Sequence, residues 1–101
     1  MELTDLSKIT SEHFTPYLNQ QLQIVFSDAL VQAELTEIVE NDTYSPSERK
    51  PFHIMISIGT EFPLLRQGIY RLGFSQQMIM DVFMVPVGPD GKGQRYQIIF
   101  S

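Results

Sequence analysis

The chain has 101 residues, of which 43% are apolar and 19% charged, and it carries a net charge of −5 and no cysteine. This length suits one domain over residues 1–101, and the acidic balance disfavours nucleic acid as a partner, since phosphate backbones require clustered cations. The lack of cysteine, of a signal peptide and of an apolar run long enough for a membrane helix predicts a cytoplasmic protein without a membrane partner.

The first predicted element is a short helix near the N-terminus. Thr10 is a suitable N-cap, and Glu12 suits the positive end of the helix dipole. Ile9 can pack against Phe14 across the cap. Pro16 ends the helix because its ring clashes with the preceding turn and it has no N–H to donate. We therefore expect one or two helical turns.

Alternating apolar residues then predict strands over residues 20–26 and 29–39. The alternation changes parity after Thr36, where Ile38 rather than Glu37 is apolar. A β-bulge near these positions would restore the pattern and would also bend the strand, as a barrel corner requires. A helix over residues 30–40 is the competing interpretation.

A long loop separates this part of the chain from the rest. Residues 41–51 have no apolar periodicity and contain two prolines, which is typical of a connection that tolerates change. Strands are predicted beyond the loop, over residues 52–58 and 68–74.

The last quarter of the chain predicts a β-hairpin. Strands over residues 78–86 and 94–100 flank a turn at 88–93, whose Gly, Pro and Asp residues suit a tight turn. We expect Val82 opposite Phe100, and Met84 opposite Ile98.

The preceding turn is predicted to centre on Gln76. This places Phe74 opposite Met78 and Arg71 opposite Asp81. We interpret the latter two residues as an ion pair, in preference to a catalytic role for the carboxylate.

The two hairpins together predict one core face and one further apolar face. The residues expected to point into the core are Tyr70, Leu72, Phe74, Met78, Met80, Val82, Met84, Tyr96, Ile98 and Phe100. The opposite face carries the ion pair and a candidate interface of four apolar residues: Ile69, Phe83, Val85 and Ile99.

Such a face is too apolar to remain in water. We expect it to be covered by the N-terminal segment, through Phe14, Tyr17 and Leu18, and by a second subunit in a weak homodimer. The strand edge at residues 96–100 is the expected seam of that dimer.

The whole pattern predicts an all-β fold. We expect a small six-stranded antiparallel barrel or curled sandwich with one short N-terminal helix.

No catalytic or metal-binding constellation is present in the sequence. His13 and His53 are the two histidines, and they lack the spacing of a metal site. No nucleophile, base and orienting group can be named together, so we expect neither an enzyme nor a bound cofactor.

The C-terminal residues carry a resemblance to a known family. They include the string Val85-Pro86-Val87-Gly88-Pro89-Asp90, then Gly93 and Tyr96, preceded by Pro63-Leu64 and Gln67-Gly68-Ile69-Tyr70. The chain resembles an uncharacterised family of small bacterial all-β proteins of about 100 residues with a C-terminal hairpin of this VPVGPDxxGxxY type. The resemblance implies an association with phage-tail-collar-like proteins.

These observations favour a non-enzymatic interaction or assembly module, with an accessory role in a phage-tail-like structure. Its partner would be another protein or a second copy of the chain. The alternative hypothesis is a small-molecule-binding β-barrel, in which Tyr70, Tyr96 and the methionines line a cavity.

Overall fold

The structure, a computed structural model, describes residues 3–40, 51–89, 91 and 93–100. Its helical part lies near the N-terminus and consists of a 3₁₀ turn at Leu6–Lys8, the helix α1 at Ser11–Phe14 and a second 3₁₀ turn at Thr15–Tyr17. The strands that follow are β1 (Gln21–Val25), β2 (Leu30–Glu40), β3 (Phe52–Gly59), β4 (Gly68–Ser75), β5 (Met78–Pro89) and β6 (Gly93–Phe100). The predicted all-β fold with one short helix is confirmed. The predicted loop at residues 41–51 lies outside the described residues, except for Pro51.

The described strands close into an antiparallel barrel in the order β1-β2-β3-β6-β5-β4, with β4 pairing back onto β1. Of the two predicted architectures, the structure is therefore the barrel. Strand β6 pairs with β3 on one side and β5 on the other. The expected dimer seam along residues 96–100 is wrong, because closing the barrel removes the free edge that the seam would need.

The predicted bulge in β2 is confirmed. The β2–β3 register shifts between Leu35 and Glu37, which leaves Thr36 as the extra residue. The Thr36 hydroxyl donates to the carbonyl of Met55 on β3 at 3.2 Å. The bulge keeps apolar residues on the inner face on both sides of the shift.

The β4–β5 hairpin differs from the prediction at its turn. Gln76 and Gln77 form the turn, Ser75 pairs with Met78, and the register shifts between Gly73 and Ser75. Phe74 is therefore not paired with Met78 as predicted. Because the turn contains only two residues, β4 has one more residue than β5 next to the turn. This extra residue is Phe74, which forms a β-bulge while its ring remains buried. Beyond the bulge the predicted register holds.

The terminal hairpin has the predicted register, with Val85 opposite Gln97 and Pro86 opposite Tyr96. Strand β5 continues beyond the predicted end to Pro89. The β5–β6 register shifts by one residue between Pro86 and Gly88, and pairing then continues with Gly88 opposite Arg95 and Pro89 opposite Gln94. Gly88 has a φ of 111°, a conformation that side chains rarely adopt.

The N-terminal helix closes one end of the barrel. Phe14 is fully buried, and its ring lies 5.9 Å from Phe52, 5.2 Å from Phe74 and 5.4 Å from Phe100, measured between centroids. Tyr17 packs on Phe74 at 5.6 Å. We call Phe14, Phe52, Phe74 and Phe100 the aromatic plug.

Two tyrosine hydroxyls hold the segment of residues 60–67 between β3 and β4. The Tyr96 hydroxyl, which extends from the core, accepts the N–H of Leu65 at 2.9 Å. The Tyr70 hydroxyl donates to the carbonyl of Arg66 at 2.6 Å. Both bonds fix a connection that has no strand partner of its own.

Candidate interaction surface

Three large apolar side chains form a row on the outside of the barrel. Ile69 on β4 is opposite Phe83 on β5, and the β5–β6 register continues to place Ile99 on the other side of Phe83. The exposed fractions of Ile69, Phe83 and Ile99 are 74%, 53% and 65%. We call these three residues the outer row. Val85, the next outward residue along β5, is half-buried.

The expectation that the N-terminal segment covers this face is wrong. Phe14 is inside the aromatic plug, Tyr17 packs against Phe74 at the same end, and Leu18 is itself 37% exposed. The barrel end offers Phe14 three rings and complete burial, whereas the outer face offers contact on one side only. Each residue of the outer row forgoes part of the roughly 1.5–3 kcal/mol that full burial provides.

The ion pair expected across β4 and β5 is present. Arg71 Nε lies 2.8 Å from Asp81 Oδ1, and Arg71 Nη2 lies 3.2 Å from Asp81 Oδ2, so the contact is bidentate. The two side chains are 40% and 38% exposed. The Arg71 hydrogen bond holds the pKa of Asp81 below its ordinary value, and Asp81 in turn raises the pKa of Arg71. Asp81 is therefore an ionised structural partner and lacks the raised pKa of a general acid.

Charge is distributed unevenly around the barrel. Strands β4, β5 and β6 contain two arginines and one aspartate, a net charge of +1, in the residues Arg71, Asp81 and Arg95. Strands β1, β2 and β3 contain three glutamates and no Lys, Arg or Asp, a net charge of −3, in the residues Glu34, Glu37 and Glu40. The outer row thus lies on the less acidic half of the barrel.

The two histidines lie on different elements and make different contacts. His13 is in α1, where its Nδ1 accepts the backbone N–H of Thr10 at 2.9 Å and lies 3.0 Å from the Thr10 hydroxyl. His53 is half-buried on β3, opposite Ile99. Within the described part of the chain, no group of three or more His, Asp or Glu side chains could hold a metal ion.

The residues proposed to line a ligand cavity belong to the core instead. Met80, Met84 and Tyr96 are at most 1% exposed and pack in one hydrophobic cluster, as expected for a barrel narrow enough for side chains to fill. Tyr70 is half-buried at the edge of this cluster.

A separate apolar cleft of about 230 Å³ lies beside the connection between β3 and β4. Its wall is almost entirely carbon and is formed by Phe26, Asp28, Ala29, Val31, Ile58, Phe62, Pro63 and Leu65. The sequence reasoning missed this cleft. The signal was present, since Phe62-Pro63-Leu64-Leu65 is an apolar run inside a connection that has no strand pattern.

These features define a small closed β-barrel with an apolar outer face. The family model described as Domain of unknown function (DUF6916) matches residues 9–100, and the chain therefore belongs to that family. No curated protein and no solved structure matches the chain. Among the helices in the described residues, none is long and apolar enough to cross a membrane.

Proposed function

We propose that this protein is a non-enzymatic interaction or assembly module whose contact surface is the outer face of β4, β5 and β6. The observation that carries the proposal is the outer row, where three large apolar side chains on adjacent strands are each more than half exposed. Scattered exposed apolar residues are ordinary on protein surfaces, but an aligned group is typical of an interaction site.

The form of the surface supports a protein partner rather than a small ligand. The outer row lies on the outside of a closed barrel, and the groove that Ile69 borders with Arg71 and Asp81 is open to solvent, unlike the enclosed sites that small ligands occupy. Because β4, β5 and β6 are each paired on both sides, an added strand has no edge to join. The contact would therefore be made by side chains.

The sequence resemblance supports a more specific role. The resemblance carried by the VPVGPDxxGxxY hairpin implies an association with phage-tail-collar-like proteins, and from it we infer an accessory role in a phage-tail-like structure. A chain without cysteine fits a reducing compartment, so we place this role in the cytoplasm.

The test compares Phe83→Asp with the matched control Leu30→Asp. Leu30 is 58% exposed and lies on β2, outside the outer row. Light scattering over a concentration series and retention of partners on the immobilised protein are measured for both variants. We expect Phe83→Asp to abolish association while Leu30→Asp preserves it, with both variants folded. Equal association of wild type and Phe83→Asp would overturn the proposal.

The second candidate function is small-molecule binding, and the cleft beside the β3–β4 connection favours it. Its volume of about 230 Å³ exceeds the roughly 150 Å³ of a cavity that accepts benzene. Titration with indole, followed by the amide signals of Ile58 and Leu65, tests it. Saturable shifts that disappear in the cleft-filling variant Ala29→Phe would support this function, and their absence at millimolar indole would reject it.

A further inference from the structure

We propose that the outer row packs against the outer row of a second copy of this chain, related by a two-fold axis that runs along the row. This inference rests on the proposed function and names the partner of the same surface. It makes Phe83 the centre of a symmetric interface.

The apolar character of the row makes it complementary to itself. Isoleucine, phenylalanine and isoleucine follow one another across β4, β5 and β6, so a large apolar side chain occupies every position of the row. A two-fold interface requires a patch that matches its own rotated copy. With the axis along the row, each of the three residues lies opposite the same residue of the second copy.

The charges beside the row select the direction of the axis. Along β5, Asp81 precedes Phe83 on the outer face and Val85 follows it. Rotation about the row places Asp81 of one copy opposite Val85 of the other. Rotation about an axis along β5 would instead place the two Asp81 carboxylates opposite each other, and facing like charges are unfavourable.

The charge distribution also disfavours a head-to-tail contact between copies. In that arrangement the outer row would cover the β1–β3 side of its neighbour, where Glu34 and Glu37 are exposed. Carboxylates placed under apolar side chains lose water without gaining a partner. When the outer faces meet instead, the one acid on β5 retains its arginine and the glutamates of β2 remain solvated.

The interface is small, so the dimer is weak. Stable interfaces bury about 800 Å² on each partner, whereas three side chains on a convex surface supply only the centre of such a patch. Dissociation on dilution is therefore expected, and covalent trapping is the appropriate assay.

The chain has no cysteine, so single cysteines can be introduced without interference. The test uses Ile69→Cys, Phe83→Cys and Ile99→Cys, with Leu30→Cys as the exposed control. Facing sheets lie about 10 Å apart, beyond the Cα separation of about 7 Å that a disulfide allows, so the cysteines are joined with a short bismaleimide. Adjacent strands lie about 4.8 Å apart, so the two ends of the row are separated by roughly another 10 Å along the row. Each position of the row should therefore cross-link to itself, while mixed Ile69→Cys and Ile99→Cys proteins should not cross-link to each other.

With the bismaleimide we expect covalently linked dimers of the three row variants at least tenfold above the Leu30→Cys control. The proposed axis would be overturned if Phe83→Cys cross-links to itself and, in the mixed sample, Ile69→Cys cross-links to Ile99→Cys. Row variants that cross-link no better than the control would overturn the dimer. If the row variants do not cross-link but Phe83→Asp still abolishes retention of another protein, the proposed contact surface is retained. Its partner is then that protein and not a second copy of the chain. If that substitution alters no association, the proposed function fails as well.

Discussion

Two phenylalanines on opposite sides of the barrel wall show how this fold uses the same side chain for two purposes. Phe14 lies in the aromatic plug and is fully buried, whereas Phe83 is the centre of the outer row and is 53% exposed. Phe14 comes from a segment outside the sheet, yet it reaches the interior through an open barrel end. Phe83 comes from a central part of β5, yet strand alternation turns it outward. Burial here follows from the direction of the side chain relative to the closed sheet, and hydrophobicity alone does not determine it.

Removal of the plug should have the largest effect on stability. Phe14→Ala leaves a cavity against three aromatic rings, and we expect the free energy of unfolding to fall by about 3–5 kcal/mol. Urea denaturation followed by circular dichroism measures the loss. Phe14→Leu, which keeps part of the volume, should lose less. A loss below about 1 kcal/mol for the alanine variant would mean that the plug does not hold the barrel end closed.

A smaller effect is expected at the other end of the barrel. Tyr96→Phe removes the hydroxyl that accepts the Leu65 N–H, while the buried ring stays in place. We expect a loss of about 1 kcal/mol, together with faster hydrogen exchange at the Leu65 amide. Tyr70→Phe is the matched control, since its hydroxyl acts on Arg66 instead. Unchanged exchange at Leu65 in the Tyr96→Phe protein would contradict the assigned bond.

The ion pair beside the outer row should contribute less again, because both of its side chains are well exposed. We expect the effects of Arg71→Ala and Asp81→Ala to be smaller together than the sum of the two single effects, since each single change removes the same contact. A double-mutant cycle at low salt measures the coupling. Strictly additive effects would contradict the energetic role of the pair.

The same pair gives a pH dependence whose sign can be stated. The folded pKa of Asp81 lies below the ordinary value of 3.8, so the unfolded chain takes up a proton first as the pH falls. The contribution is complete well above pH 3.8 and is lost as the pH falls through the folded pKa. The stability difference between wild type and Asp81→Asn should shrink over this window. A difference that stays constant below pH 3.8 would contradict the assignment.

The smallest effect on stability is expected for Phe83→Ala, which is the counterpart of Phe14→Ala on the outer face. Phe83→Ala removes a ring that packs on one side only, so the free energy of unfolding of the monomer should change by no more than about 0.5 kcal/mol. Association should fall, as for Phe83→Asp. Denaturation at a dilution where the protein is monomeric measures the first quantity. A loss similar to that of Phe14→Ala would mean that the outer row belongs to the core of a single chain.

The sequence by itself determined the local structure of this protein. Period-two alternation located the strands, the parity change at Thr36 located the bulge in β2, and the short connection between the last two strands aligned β5 with β6. These features depend on neighbouring residues and on strands joined by short turns, so the pattern of side chains is sufficient. The pairing of Arg71 with Asp81 followed for the same reason.

Only the tertiary structure decided how the barrel closes and what covers each face. The β1–β4 and β3–β6 pairings join strands that are distant in the chain, and no turn fixes their register. The closure removed the edge expected at residues 96–100 and opened a barrel end that admits Phe14. Alternation distinguished the core face of β4, β5 and β6 from the outer face, but it does not indicate which distant segment covers either face once the sheet closes. The N-terminal segment therefore fills the interior, and the outer row remains available to a partner.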